Sequence, residues 1–185
     1  MKVLAICGSL RKKSTNMGLI KYAVAHAPAG IEITIADLSE VPFYNSDVAE
    51  QPSSVKKLLA QCEAADALLL ACPEYNYSIA PALKNALDWI SRAPNNILTA
   101  GKPVAIVGAG GSQGTSRAQY HLRQVCVYID LHPLNKPEVM VNAFAGTFDA
   151  ESNLIDPSIQ ELVRQQLLAL QTMQKKLATK QQKTI

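Results

Sequence analysis

The sequence predicts an open, doubly wound α/β sheet covered by helices on both faces, and three observations carry that expectation. Short apolar runs alternate with helical patterns along the 185 residues. The central runs are apolar at every position instead of at every second one, as strands buried on both faces are. Each interval between runs is long enough for the helical crossover that parallel strands require. In order, the strand candidates are KVLAIC (2–7), IEITIA (31–36), ALLLAC (67–72), PVAIVG (103–108) and a run within PLNKPEVMV (133–141). Apolar residues at three and four spacing place helices over 16–27, 53–64, 81–92, 115–129 and from 157 to about 180. Pro81 and Pro157 stand where a first helical turn accepts proline, and Ser53 is placed to cap the second helix. Neither an internal repeat nor a linker interrupts the pattern, so residues 1–185 are expected to form one domain.

Composition narrows the function classes. Hydrophobic residues make up 48% and charged residues 18%, which excludes a mainly disordered chain. Apolar runs stop well short of the about 18 residues of a membrane span, and charge follows directly after Gly8, so a soluble, cytoplasmic protein is expected. Cys7, Cys62, Cys72 and Cys126 form no paired motif and behave as small core hydrophobes, while His26, His121 and His132 are too scattered for a metal site. The net charge of +3 is concentrated in Lys175, Lys176, Lys180 and Lys183, which suits a frayed basic helix end over 175–185 better than a nucleic-acid arm.

In sheets of this kind ligands bind beyond the carboxyl ends of the strands. The first loop there, GSLRKKSTN (8–16), matches neither a triphosphate loop nor a dinucleotide fingerprint. Gly8 permits the turn, Ser9, Ser14, Thr15 and Asn16 supply donors, and the next helix turns its N-terminal amides toward the same space. That set fits a phosphate monoester, with Arg11 as its guanidinium partner. Taken alone, the same residues equally suit a helix cap with solvated cations. The second loop, PEYNYS (73–78), puts Tyr75 and Tyr77 on either side of Asn76, an arrangement suited to a flat ring with a hydrogen-bonding edge, or to an aromatic packing corner. The third, AGGSQG (109–114), holds three glycines in six residues and lets backbone approach a ligand closely. Together the loops call for a phosphate at one end and a planar polar ring at the other, the shape of FMN.

These residues, followed by LKNALDW (83–89), R-x-x-Y-x-x-R (117–123) and NKPE (135–138), resemble the NADPH-dependent FMN reductase family, most closely its quinone and chromate reductase branch. The resemblance runs from Val3 to about Val141. It implies a flavodoxin-like three-layer sandwich, a five-stranded parallel sheet of order 2-1-3-4-5. It further implies that Ser9, Arg11, Ser14 and Asn16 hold the FMN phosphate, with Thr15 as a neighbour and Leu10 also against the cofactor. Pro73, Glu74, Tyr75, Asn76 and Tyr77 would border the ring, and Ala109, Gly110 and Gly111 its pyrimidine edge. Ser112, Gln113 and Gly114 depart from the family pattern and bear on substrate choice.

The activity implied is ping-pong transfer from NADPH or NADH through FMN to a quinone or another small acceptor: flavin, azo, nitro or chromate. No proton-transfer group is nominated, with His121 the least unsuitable. The resemblance also implies homodimers that pair into homotetramers, with Arg117, Tyr120 and Glu138 in a polar network between subunits and Leu87, Trp89 and Ile90 as candidates for the dimer face, Trp89 suiting an ordinary core position equally well. An alternative function, an electron carrier serving a protein partner, would favour a strongly acidic surface, which this chain lacks.

Overall fold

A computed structural model describes residues 1–182 of the chain. Strand β1 (Lys2–Cys7) leads through helix α1 (Thr15–Ala25) to β2 (Glu32–Ile35), then α2 (Ser53–Ala64) and β3 (Ala67–Ala71). A short antiparallel hairpin, β4 (Glu74–Tyr75) and β5 (Ser78–Ile79), precedes α3 (Pro81–Ile90) and a 3₁₀ turn at Pro94–Asn96. The chain closes with β6 (Pro103–Gly110), α4 (Ser116–Tyr128), β7 (His132–Pro133), β8 (Val139–Asn142) and α5 (Pro157–Gln182).

The main sheet is parallel, in the order β2-β1-β3-β6-β7, with β8 also paired to β6. Successive side chains of a strand point to opposite faces, so each central strand feeds two cores. Leu4, Ile6, Leu68, Leu70, Val104 and Ile106 pack under α2, α3 and α4. Val3, Ala5, Leu69, Ala71, Ala105 and Val107 pack under α1 and α5. The expected order is therefore present, but its fifth position is shared by two short strands. β7 pairs with Pro103 and Val104 and β8 with Val107 to Gly110, while residues 134–138 loop out between them. Pro137 has no N–H to give the ladder. The buried Gln166 of α5 fills the gap, its amide donating to Ile106 O and Pro137 O at 3.0 Å each.

Two expectations are corrected here. Ser53 does not cap α2. Pro52, with extended ψ of 153°, holds the N-cap position without a side-chain bond, and Ser53 is already helical. Leu87, Trp89 and Ile90 are buried within the single chain at 1%, 3% and 0% exposure, so they cannot form a dimer face. Leu87 and Ile90 belong to the core beneath α3, while Trp89 packs edge-on against Tyr44 and its Nε1 donates to Pro42 O at 2.8 Å. α5 continues as helix to Gln182 through most of the basic segment, and Lys183 lies outside the described residues.

Candidate functional site

The tips of β1, β3 and β6 lie side by side, and their three loops meet above them. Gly8 turns the chain off β1, its N–H donating to Ala71 O at 2.9 Å. A Cβ at Gly8 would stand 2.8 Å from Pro73 Cδ and 2.9 Å from Leu83 Cβ, so only glycine fits between hairpin and α3. Beyond it Leu10, Arg11, Lys12 and Lys13 run exposed. Lys13 pairs with Glu151 at 2.6 Å, whereas Arg11 and Lys12 meet no carboxylate among the described residues. Ser14 caps α1, its hydroxyl oxygen accepting from Met17 N at 3.2 Å. The first turn of α1 contains no acid, which leaves the positive end of the helix dipole unneutralised. Ser9, Arg11, Ser14 and Thr15 beside that terminus form a donor set that fits a dianionic phosphate.

Asn16 does different work. It is buried, its Nδ2 donates to Ala109 O at 2.8 Å, and Ala109 N donates back to its Oδ1 at 3.0 Å. This reciprocal pair locks the first turn of α1 to the end of β6, so the polar groups of Asn16 and the Ala109 peptide are committed to each other.

The second loop is a hairpin with a two-residue turn. Asn76 and Tyr77 both have positive φ, 51° and 66°, as such turns require for their twist. Asparagine tolerates that region; a tyrosine there is strained. Contacts to α4 compensate. Glu74, its side chain 8% exposed, accepts from Arg117 Nε at 2.6 Å and from Ala118 N at 3.1 Å. The guanidinium of Arg117 lies over the Tyr77 ring, 3.8 Å from its centroid. Ser78 Oγ and His121 Nδ1 are 2.9 Å apart, completing a row of contacts along one side of α4. Arg117 is thus bound to its own hairpin. Its expected companions form a separate group, in which Tyr120 donates to Glu138 at 3.3 Å and Lys136 donates to Glu138 at 2.8 Å.

In the third loop, Gly114 N donates to Gly111 O at 2.8 Å and folds the segment back on itself. A Cβ at Gly110 would strike Gly114 O, but one at Gly111 would meet nothing within 4 Å. That open side of the backbone is the close approach a ring edge needs, and Ser112 and Gln113 stand exposed beside it. None of the cysteines offers a reactive thiolate near neutral pH. Burial pushes the Cys72 and Cys126 thiols up to about 12 and Cys62 up to about 11, and raises Cys7, which lies beneath the first loop.

A cluster of helix-terminal donors, exposed cations and an aromatic hairpin at the switch point of a parallel sheet defines a flavin-binding α/β protein. The profile of the NADPH-dependent FMN reductase family matches residues 1–146, and the chain belongs to that family. It is 51% identical over 180 residues to an NAD(P)H-dependent FMN reductase of Pseudomonas aeruginosa, covering 96% of this chain and 97% of the relative. A quinone reductase of Escherichia coli K12 is 38% identical over 170 residues, 89% of this chain and 86% of that one. Among solved structures, the flavoenzyme NAD(P)H:(acceptor) oxidoreductase FerB of Paracoccus denitrificans superposes with a TM-score of 0.85 at 30% identity, covering 95% and 97% of the two chains. The fold is accordingly flavodoxin-like, and family membership brings FMN as cofactor with NAD(P)H as electron donor.

Proposed function

We propose that this protein is an FMN-dependent oxidoreductase that takes hydride from NAD(P)H and reduces small acceptors of the quinone class. The observation that carries the reading is the convergence of the three strand-tip loops, with an unneutralised helix N-terminus and the exposed Arg11 at one side and the Tyr75–Tyr77 wall at the other. Ser9, Arg11, Ser14 and Thr15 would hold the phosphate, and Leu10, Pro73, Glu74, Tyr75, Asn76 and Tyr77 would border the ring. Bound FMN supplies the two-electron chemistry that links donor to acceptor. Overall, NAD(P)H, a proton and a quinone become NAD(P)⁺ and a hydroquinone. The chain's part is to orient and exclude: Asn16 fixes the spacing of two loops, Arg117 holds the hairpin wall, Gly110 lets the third loop fold back on itself, and Gly111 keeps a side chain away from the ring edge. Backbone N–H groups of that loop would favour negative charge at the ring edge without any acid or base.

A homodimer or homotetramer acting in the cytoplasm completes the proposal. The exposed Tyr120, Val127 and Tyr128 of α4, at 58%, 81% and 69%, support an association surface there. The test is the visible spectrum and turnover of the purified protein. A yellow preparation is expected, one that oxidises NADPH steadily with a quinone and no added reductase. Arg11→Ala is expected to lose FMN while its far-UV spectrum stays native. Protein that stays colourless after mixing with excess FMN overturns the reading, and a need for a separate reductase would make it an electron carrier.

A further inference from the structure

Beside the first loop lies a cavity of about 310 Å³, walled by Leu10, Leu38, Val41, Phe43, Tyr75 and Pro81. Its size is at the lower end of the about 300–1,000 Å³ of small-molecule pockets, too little for a dinucleotide but enough for a fused-ring compound or an alkyl chain. No charged side chain lines it. Apart from the exposed Tyr75 hydroxyl, the polar side chains in its wall already have partners. Asn85 accepts from Tyr44 N and donates to Pro42 O, both at 2.8 Å, and Ser39 Oγ donates to Asp37 at 2.7 Å. What remains is hydrocarbon surface, and part of it faces water: Phe43 is 78% exposed, Leu10 61% and Tyr75 45%. Three large apolar side chains grouped around one cavity mark a binding surface, where isolated ones would not.

The cavity has Leu10 and Tyr75 in common with the proposed cofactor slot. A ligand seated in it would therefore extend from the edge of that slot toward the segment after β2. We propose that this cavity receives the apolar body of the electron acceptor, so that the preferred acceptors are neutral quinones carrying a fused ring or an alkyl chain. Small hydrophilic anions gain nothing from it. The inference rests on the oxidoreductase reading, which supplies the reaction. It assigns to Phe43 and Val41, in the segment after β2, a role in acceptor specificity.

The structure also supplies a reporter for the test. Trp89 is the single tryptophan of the chain, and its Nε1 donates to Pro42 O between the two wall residues Val41 and Phe43. A quinone in the cavity is expected to quench it. In the experiment, full-length FMN-loaded protein without NADPH is titrated with an alkyl-substituted naphthoquinone and with unsubstituted benzoquinone, following Trp89 fluorescence. Steady-state kcat/KM is then measured for both quinones and for ferricyanide. Saturable quenching by the alkylated quinone is expected. In Phe43→Ser, kcat/KM for that quinone should fall about tenfold, as loss of one apolar wall of a pocket implies. Ferricyanide turnover and FMN content should stay at wild-type levels, and Phe43→Leu should recover most of the loss.

Absence of saturable quenching overturns the proposal, as does an equal loss on all three acceptors in Phe43→Ser. Equal loss together with a smaller mass by light scattering would instead make the cavity a contact between subunits. Failure of the oxidoreductase reading would look different. Wild-type protein would then reduce no acceptor, while the quenching titration would still report whether the cavity binds a quinone.

Discussion

Replacing Arg117 with alanine probes the hairpin wall directly. Glu74 keeps only 8% of its side chain exposed and Arg117 45%, so the substitution strands a mostly buried carboxylate beside a half-open gap. Removing one partner of a fully buried pair costs about 3–5 kcal/mol. Here solvent screens the arginine side, and the Ala118 N–H still serves the other carboxylate oxygen, which brings the loss nearer to about 2 kcal/mol. Loss of the guanidinium over Tyr77 adds about 0.5–1 kcal/mol and leaves a left-handed tyrosine without its support. The total of about 2–3 kcal/mol corresponds to a fall in Tm of roughly 5–10 °C for a domain of this size. Thermal unfolding followed by circular dichroism measures it, and titration of FMN-free protein with FMN should show weaker binding because the ring wall is loosened. Arg117→Lys keeps the charge but loses the fork and the flat face, so it should recover only part of either effect. In a double-mutant cycle, Arg117→Ala and Glu74→Gln should couple by about 1–2 kcal/mol. A Tm within about 1 °C of wild type, or strict additivity with Glu74→Gln, would refute the assignment of Arg117 to the hairpin.

Other positions separate cofactor effects from fold effects. Gly111→Ala should leave the Tm of FMN-free protein unchanged, since its Cβ meets nothing, yet weaken FMN binding at least about tenfold by standing in the ring's approach. An unaltered FMN affinity would remove the third loop from the site. Gly108→Ala should do the reverse, costing at least about 1–3 kcal/mol of stability, because its Cβ would crowd the buried Thr115 and stand 2.8 Å from Cys72 O. Glu161 is held down at about 2 by hydrogen bonds from Arg164 first and then Gln165, against an ordinary value of 4.5. A carboxylate so depressed contributes stability that is fully present above about pH 4.5 and lost as pH falls toward 2. The Tm difference between wild type and Glu161→Gln should therefore shrink over that window; a constant difference would show that the contact is not electrostatic. Glu138→Lys replaces the acceptor of both Tyr120 and Lys136 with a like charge and should lower the mass seen by light scattering. An unchanged mass would take this group out of the subunit contact.

Much of the fold is legible in the residue order because its strongest signals are local. β1 and α2 coincide with the sequence reading, and β3, β6 and α5 begin where the apolar runs and the proline signals place them. The fifth strand is legible only as a region. Pro137 within PLNKPEVMV signals a break in the ladder, but nothing announces that a glutamine some thirty residues later repairs it. The position of the site is legible for the same reason, since strand tips of such sheets are where ligands go. The division of labour within it is not. Asn16 and Arg117 carry side chains that sequence assigns to a ligand and to a partner subunit, yet each is captured by a group distant in sequence: Ala109 in one case, Glu74 in the other. Two-residue strands are too short to show a period, so the hairpin remained hidden within PEYNYS, although Asn76 is a turn signal. Once the hairpin forms, Tyr77 is forced into the left-handed region, and the guanidinium of Arg117, fixed from the other side by Glu74, lies against its ring. The ring wall of the slot is consequently a property of α4 as much as of the loop, and a change on that helix should reach the cofactor without touching it.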